Sequence, residues 1–291
     1  MTEGIRNQKK ADSEVKTFSV PFALGEIKEN IKIRTNAPSK PSKEQIINQA
    51  FKFHSSGNTQ EAAKYYQLFI NQGFEDHRVF SNFGLILKNL GKLKDAELSQ
   101  RKAIELKPDF FLAHLHLGEI LKELGQLQEA EITCRKAIQL NPSLFNSHFL
   151  LATILIEQKK LQEAEKPLRK TIELNPDFFL AHSNLGSILM DLGNLKEAEI
   201  STRKAIKLNP NLTNAYLNLG NILSDLDQSE EAEMYTRKAI ELKPDFANAY
   251  LTLGNILSGV NKRKEAEISY RKVIELKPDF ADAYSNLGII L

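Results

Sequence analysis

From residue 43 onward, apolar residues recur with helical spacing in short blocks separated by turn-forming residues. In residues 111–144 the first block ends at Gly125, which favours a left-handed helix end, and the second ends at Pro142, which disfavours a further helical turn. The apolar positions of the first block are Leu117, Ile120, Leu121 and Leu124. This pattern predicts two helices of about 14 residues, each ~21 Å long.

The helix pair returns with a period of 34 residues. The prolines in phase are Pro108, Pro142, Pro176, Pro210, Pro244 and Pro278. The predicted repeats are 43–76, 77–110, 111–144, 145–178, 179–212, 213–246 and 247–280, and 281–291 is the first part of an eighth. Two helices alone cannot bury an apolar face, so neighbouring repeats must stack. The sequence therefore predicts an all-α, right-handed superhelical solenoid of helix-turn-helix 34-residue repeats.

The repeated positions carry an aromatic residue, Leu-Gly, and then Gly, Ala and Pro, and this pattern resembles the tetratricopeptide repeat (TPR) family over 43–291. The sequence AHSNLGSIL (181–189), followed by LKEAE, is also similar to the repeat arrays of O-linked N-acetylglucosamine transferases. The first resemblance implies a concave groove lined by the first helices. The second implies an arm that recruits substrates.

Four residues depart from the repeat pattern. Lys159, Asp227 and Asn261 replace the turn glycine, and we expect them in the left-handed backbone region. Pro167 falls inside a second helix, where it should kink the helix or shift its start.

Residues 1–42 differ from the repeats, and we predict a flexible tail that ends in a Pro/Ser linker. This segment has eight Lys/Arg and five Asp/Glu, and the rest of the chain has 31 and 32, for a total charge of +2. That balance argues against binding to nucleic acid or to a membrane surface. From this sequence we expect neither a secretory signal nor a membrane-spanning segment. The single cysteine, Cys134, fits a reducing cytoplasmic location.

The residues that could act as metal ligands or as part of a catalytic motif are explained by their structural positions in the repeat. His114, His148 and His182 share a column with tyrosines, and side chains one repeat apart lie too far apart to ligate one metal. The Asp225–Asp227 pair matches a nucleotide-sugar motif but falls at a helix end. Because no phosphate loop or nucleophile motif occurs, we expect no active site, cofactor or metal.

The groove positions implied by the family carry the functional content. An asparagine amide both donates and accepts hydrogen bonds, so a ladder of them suits an extended peptide backbone. The candidate asparagines are Asn82, Asn184, Asn218, Asn221, Asn255 and Asn286. Apolar candidates are Leu115, Phe149, Leu217 and Leu251, and acidic candidates are Glu123, Glu157, Asp191 and Asp225. This surface fits a partner segment with apolar side chains and some Lys or Arg.

The sequence thus predicts a non-enzymatic interaction scaffold that binds protein or peptide segments in its groove. The alternative is the substrate-recruiting arm of a larger transferase, similar to a glycosyltransferase or sulfotransferase. The chain stops at Leu291 within a first helix, without a polar capping helix. We therefore expect either a continuation beyond this residue or self-association through the uncapped end.

Overall fold

The computed structural model describes residues 41–291, and in this range it consists of fifteen α-helices with no β-strand. The first helices of the repeats are α1 Lys43–Ser55, α3 His77–Asn89, α5 Phe111–Glu123, α7 Phe145–Glu157, α9 Phe179–Asp191, α11 Thr213–Asp225, α13 Ala247–Gly259 and α15 Ala281–Ile290. The second helices are α2 Thr59–Asn71, α4 Leu93–Leu106, α6 Leu127–Leu140, α8 Leu161–Leu174, α10 Leu195–Leu208, α12 Ser229–Leu242 and α14 Arg263–Leu276. The prediction of an all-α fold built from helix-turn-helix repeats is confirmed.

The predicted tail lies outside the described residues, except for Pro41 and Ser42. Ser42 is the N-cap of α1: its hydroxyl accepts a hydrogen bond from Gln45 N at 3.3 Å, and Gln45 Oε1 accepts one from Ser42 N at 2.8 Å. These reciprocal bonds satisfy backbone donors that a helix start leaves without partners. Ser42, the last residue of the predicted linker, thus caps the first helix.

The described helices belong to two compact units. The first ends at Pro108 and contains α1 to α4, and the second, Asp109–Leu291, contains α5 to α15. In the second unit each first helix packs against the second helix of its own repeat, and each second helix packs against the first helix of the next repeat. The alanines at the helix crossings, such as Ala130, Ala164 and Ala198, are fully buried. Small side chains there let the helix axes approach closely.

The helix ends show how the sequence sets the turns. At the end of α5, Gly125 has φ 74°, Gly125 N donates to Lys122 O, and Gln126 N donates to Leu121 O, both at 2.9 Å. The same left-handed turn occurs without glycine at Lys159 (φ 63°), Asp227 (φ 61°) and Asn261 (φ 59°), as the sequence predicts.

Pro167 does not move the start of its helix, so that alternative is wrong. α8 begins at Leu161, one period after Leu127 of α6 and one before Leu195 of α10. Pro167 is buried, and packing holds the helix in register although this residue has no N–H to donate. The kink at this residue stays a prediction.

We expect the variant Lys159→Gly to be more stable than the wild type. A β-carbon in the left-handed region costs about 1 kcal/mol, and part of this gain is offset by the greater freedom of glycine in the unfolded chain. The net stabilisation should be about 0.5–1 kcal/mol in urea unfolding. Asn261→Gly is the matched control, because asparagine tolerates this backbone region and its replacement should change little. Equal effects of the two substitutions would contradict the argument.

Candidate functional site: the first-helix face

The first helices of the second unit form a surface, which we call the first-helix face. Along it α9 contacts α11, α11 contacts α13, α13 contacts α15, and α5 contacts α7. Most of the candidate groove residues belong to this surface. α1 and α3 carry the corresponding positions of the first unit.

Three asparagines on the first-helix face make hydrogen bonds to other side chains, and two of these bonds join neighbouring repeats. Asn221 Oδ1 accepts a hydrogen bond from Thr252 Oγ1 at 3.0 Å. Asn255 Oδ1 accepts from Tyr270 Oη at 3.0 Å and from Asn286 Nδ2 at 2.9 Å. These bonds use only one end of each amide. The Nδ2 groups of Asn221 and Asn255 and the Oδ1 of Asn286 keep the capacity to bond to a ligand.

Asn184 on α9 and Asn218 on α11 differ from the other candidates. Both side chains are half-buried, and within residues 41–291 neither amide bonds to another side chain or to the backbone. Each therefore presents both a donor and an acceptor. Because the two residues are one period apart on neighbouring helices, they offer paired contacts to an extended chain.

One cavity brings four of the candidates together. It lies between α9, α11 and α13, and its volume is about 430 Å³. Its lining is mostly polar and consists of Met190, Asp191, Asn221, Ser224, Asp225, Thr252, Asn255 and Ile256. Two carboxylates therefore flank a set of amide and hydroxyl groups.

The acidic candidates fall into two groups. Lys122 Nζ lies 2.7 Å from Glu157 Oε1, so the charge of Glu157 is compensated by the preceding repeat. Asp191 and Asp225 are exposed and make no ion pair with any described residue. Glu123 is exposed at the end of α5. Asp191 and Asp225 therefore place two carboxylates beside the cavity that have no ion pair within the described residues.

The apolar candidates are less accessible than their helix positions suggest. Leu115 is 4% exposed and Leu217 is 8% exposed, and Leu217 packs in a cluster with Tyr216, Ala239 and Ala249. Phe149 and Leu251 remain half-buried. The ring of Phe149 meets that of Phe178 edge to face, with centroids 4.8 Å apart. Leu115 and Leu217 thus serve the core more than the surface.

In the first unit, Asn82 belongs to a separate hydrogen-bond network. Its Nδ2 donates to Tyr66 Oη at 3.2 Å, and Tyr66 Oη lies 2.9 Å from His54 Nδ1. Burial raises the pKa of Tyr66 to about 12, against the opposing effect of the Asn82 bond. Burial also lowers the pKa of His54. At neutral pH both the phenol and the imidazole are therefore uncharged.

The histidine column has a structural role in the second unit. His148 Nε2 donates to Pro142 O at 2.9 Å, and His182 Nε2 donates to Pro176 O at 2.8 Å. Tyr284 makes the same bond from its hydroxyl to Pro278 O at 3.0 Å. Each ring thus fastens a first helix to the loop that precedes it.

The described residues include neither a cluster suited to a metal ion nor a helix suited to a membrane. Within 41–291, no group of three or more His, Cys, Asp or Glu side chains is placed to hold a metal ion. None of the helices in that range combines the length and apolar character needed to cross a bilayer.

Sequence reasoning missed two polar groups near the cavity. Ser224 lines it, and the hydroxyl of Tyr270, on the second helix α14, donates to Asn255, which also lines it. The sequence feature that could have indicated the position of Tyr270 is Gly254 on α13. A β-carbon at Gly254 would lie 2.5 Å from the Tyr270 ring, so the glycine leaves room for the phenol to pass over α13.

The fold is shared with several solved structures. The chain is similar to YrrB, a TPR protein with an unusual peptide-binding site, at 22% identity and a TM-score of 0.58 over 64% of this chain and 96% of that chain. It is similar to Pseudomonas aeruginosa PilF at 20% identity and a TM-score of 0.64, over 73% and 96%. It also resembles the hetero-tetramer Cut9–Hcn1 of the APC/C, at 16% identity and 0.63, over 83% and 48%. At these identities the likeness concerns the fold alone.

Comparison with curated proteins gave no significant match. Family models described as tetratricopeptide repeat match residues 77–110, 112–144, 133–166, 179–212, 213–246 and 247–280. These matches cover well over half of the chain. Five of them agree in register with the helix pairs, whereas 133–166 begins within α6 and ends within α8. The chain belongs to the tetratricopeptide repeat family, whose members are protein-interaction scaffolds.

Proposed function

We propose that this protein is a non-enzymatic scaffold that binds an extended peptide segment of a partner protein on its first-helix face. The observation that carries the proposal is the pair Asn184 and Asn218, whose half-buried amides have no bond to any other described residue. An amide in this setting gains a full donor and acceptor pair when a peptide backbone binds beside it.

The charges indicate which side chains the peptide carries. Asp191 and Asp225 flank the 430 Å³ cavity, and neither has a cationic partner in the described part of the chain. A Lys or Arg side chain of the ligand would bring a positive charge between them and would also meet Asn221 and Ser224. Half-buried Phe149 and Leu251 favour apolar side chains elsewhere in the segment. YrrB, a similar structure, is a TPR protein with a peptide-binding site, which supports this kind of ligand.

The alternative, a recruiting arm of a larger transferase, would use the same surface and remains a hypothesis. It differs from the scaffold only in what is attached to the chain. A test of the first-helix face therefore applies to both.

The double variant Asn184→Ala/Asn218→Ala should bind peptides about thirtyfold more weakly, because each of the two lost hydrogen-bond pairs is worth about 1 kcal/mol. The probe is a panel of fluorescent 12-residue peptides in which apolar residues alternate with lysine. Fluorescence polarisation against the full chain gives the dissociation constants.

The matched control is Asn194→Ala/Asn211→Ala, which removes two exposed asparagines from loops outside the first-helix face. It should bind like the wild type, and circular dichroism should show equal helicity for both variants. The proposal fails if the two double variants bind equally. It also fails if peptides with alanine in place of lysine bind as tightly as the lysine panel.

A further inference from the structure

The opposite face of the second unit, formed by its second helices, contains three clefts of one design. Cleft 1 lies between α6, α7 and α8 and has a volume of about 880 Å³. Cleft 2 lies between α8, α9 and α10, with about 560 Å³, and cleft 3 between α12, α13 and α14, with about 600 Å³. In each, a first helix forms the floor and two successive second helices form the walls.

Residues at equivalent repeat positions line the three clefts. The preceding second helix contributes an arginine: Arg135, Arg169 or Arg237. The floor has an aromatic residue and a leucine: His148 and Leu151, His182 and Leu185, or Tyr250 and Leu253. The following second helix contributes a small residue: Pro167, Ser201 or Ser269. Because equivalent repeat positions line all three clefts, the clefts are a consequence of how successive repeats pack.

Between α10 and α12 the small residue is replaced by Tyr235, and its side chain occupies the equivalent space. Arg203 stacks on the Tyr235 ring, with its guanidinium carbon 5.2 Å from the ring centroid. Arg203 Nη1 also donates to Tyr235 Oη at 2.8 Å. The ring lies 6.1 Å from that of Tyr216, centroid to centroid, and packs against the cluster that includes Leu219. The chain itself thus shows how a tyrosine side chain fits this geometry.

The arginines of the open clefts are held by ion pairs with two glutamates, as Arg203 is. Arg203 pairs with Glu199 at 2.8 Å and with Glu231 of the next repeat at 2.6 Å. Arg169 makes the equivalent pairs with Glu165 at 2.8 Å and with Glu197 at 2.7 Å. Because two carboxylates already fix the guanidinium, its face is oriented for an aromatic ring before a ligand arrives.

Basic side chains outnumber acidic ones in the lining of each cleft. Cleft 1 is lined by four basic and two acidic side chains, cleft 2 by two basic and one acidic side chain, and cleft 3 by three basic and two acidic side chains. In cleft 1, Lys166 is exposed and has no ion pair among the described residues. The openings also have apolar rims, since Ile200 at cleft 2 is 69% exposed and Ile268 at cleft 3 is 68% exposed. An occupant with an aromatic ring and flanking carboxylates complements all of these features.

We propose that clefts 1 to 3 form a second interaction surface, which binds tyrosine side chains presented by an acidic segment of a partner protein. The ring stacks on the cleft arginine and packs on the leucine of the floor. Its hydroxyl accepts a hydrogen bond from the guanidinium, as Tyr235 does from Arg203. The surface lies on the side of the repeats opposite to the first-helix face, so this proposal stands independently of the peptide site.

The test uses the full chain and an acetylated pentapeptide, Glu-Glu-Tyr-Glu-Glu, whose tyrosine carries a fluorine for ¹⁹F NMR titration. Wild type should bind with a dissociation constant of about 1 mM, as expected for a short peptide with one anchor. The filled variant Pro167→Tyr/Ser201→Tyr/Ser269→Tyr supplies each cleft with its own ring and should bind at least tenfold more weakly. The open control Pro167→Ala/Ser201→Ala/Ser269→Ala should bind like the wild type.

A second variant covers the case in which the filled protein does not fold by circular dichroism. Tyr235→Ser empties the fourth space and should raise the number of bound peptides by one. The proposal is overturned if the filled and open variants bind equally, or if Tyr235→Ser adds no site. It is also overturned if Glu-Glu-Ala-Glu-Glu competes as well as the tyrosine peptide, or if sedimentation shows that the open clefts are occupied by a second copy of the chain.

Discussion

At pH 8 the native protein is expected to react with Ellman's reagent about a thousand times more slowly than a free cysteine does. Cys134, the single cysteine, is fully buried on α6, and its Sγ donates to Ser147 O at 3.0 Å. Burial raises the pKa of the thiol to about 12. Only the thiolate reacts, and at pH 8 its fraction falls from about one in four for a free thiol to about one in ten thousand.

The measurement follows absorbance in native buffer and in 6 M guanidinium chloride. Unfolding should restore the rate of a free thiol, so Cys134 reports on opening of the third repeat without a label. Cys134→Ser is the control and should show no reaction in either solvent. A native rate within tenfold of the unfolded rate would contradict the packing described for α6 and α7.

Gly186→Val, at the crossing of α9 and α10, should destabilise the protein by about 3 kcal/mol. A β-carbon at Gly186 would overlap Thr202 Oγ1 and would lie 3.2 Å from both Ala198 O and Thr202 N. Thr202 Oγ1 already donates to Ala198 O at 2.8 Å, so its rotation would also break that bond. Because two of the obstructing atoms are backbone, α9 and α10 must separate, and overpacking of this kind costs up to about 3 kcal/mol.

Urea unfolding followed by circular dichroism measures this loss. Gly288→Val is the matched control, since a β-carbon at Gly288 meets no atom within 4 Å. It makes the same chemical change within a first helix and should alter the free energy of unfolding by less than about 1 kcal/mol. Comparable losses in the two variants would show that helix propensity, and not the close approach of α9 and α10, governs the effect.

The sequence predicts most of the fold because one period controls several physical signals at once. Apolar spacing, turn glycines and prolines all agree on where helices begin and end, as for α5 and α6. The left-handed turns at Lys159, Asp227 and Asn261 were also predictable, since each residue stands where the period requires glycine. The unchanged start of α8 was not, because packing of neighbouring helices outweighs the local preference of Pro167.

The candidate site was less predictable, because repeat position fixes which side a residue faces but not what its side chain contacts. Asn184 and Asn255 occupy similar faces, yet Asn255 bonds to Tyr270 from a second helix while Asn184 keeps its amide available. Leu217 has a groove position but is buried, since Ala239 and Ala249 leave room for it to turn inward. Such differences depend on side-chain volume in neighbouring repeats.

The paired arginines also bear on how such a chain changes length. In successive second helices Arg169 reaches Glu197, Arg203 reaches Glu231, and Arg237 reaches Glu265 at 2.9 Å, always between the same two repeat positions. Excision of residues 179–212 would place Glu231 where Arg169 now finds Glu197, so the same ion pair would form at the seam. Gene duplication or recombination in steps of 34 codons can therefore lengthen or shorten the array without any new junction having to evolve.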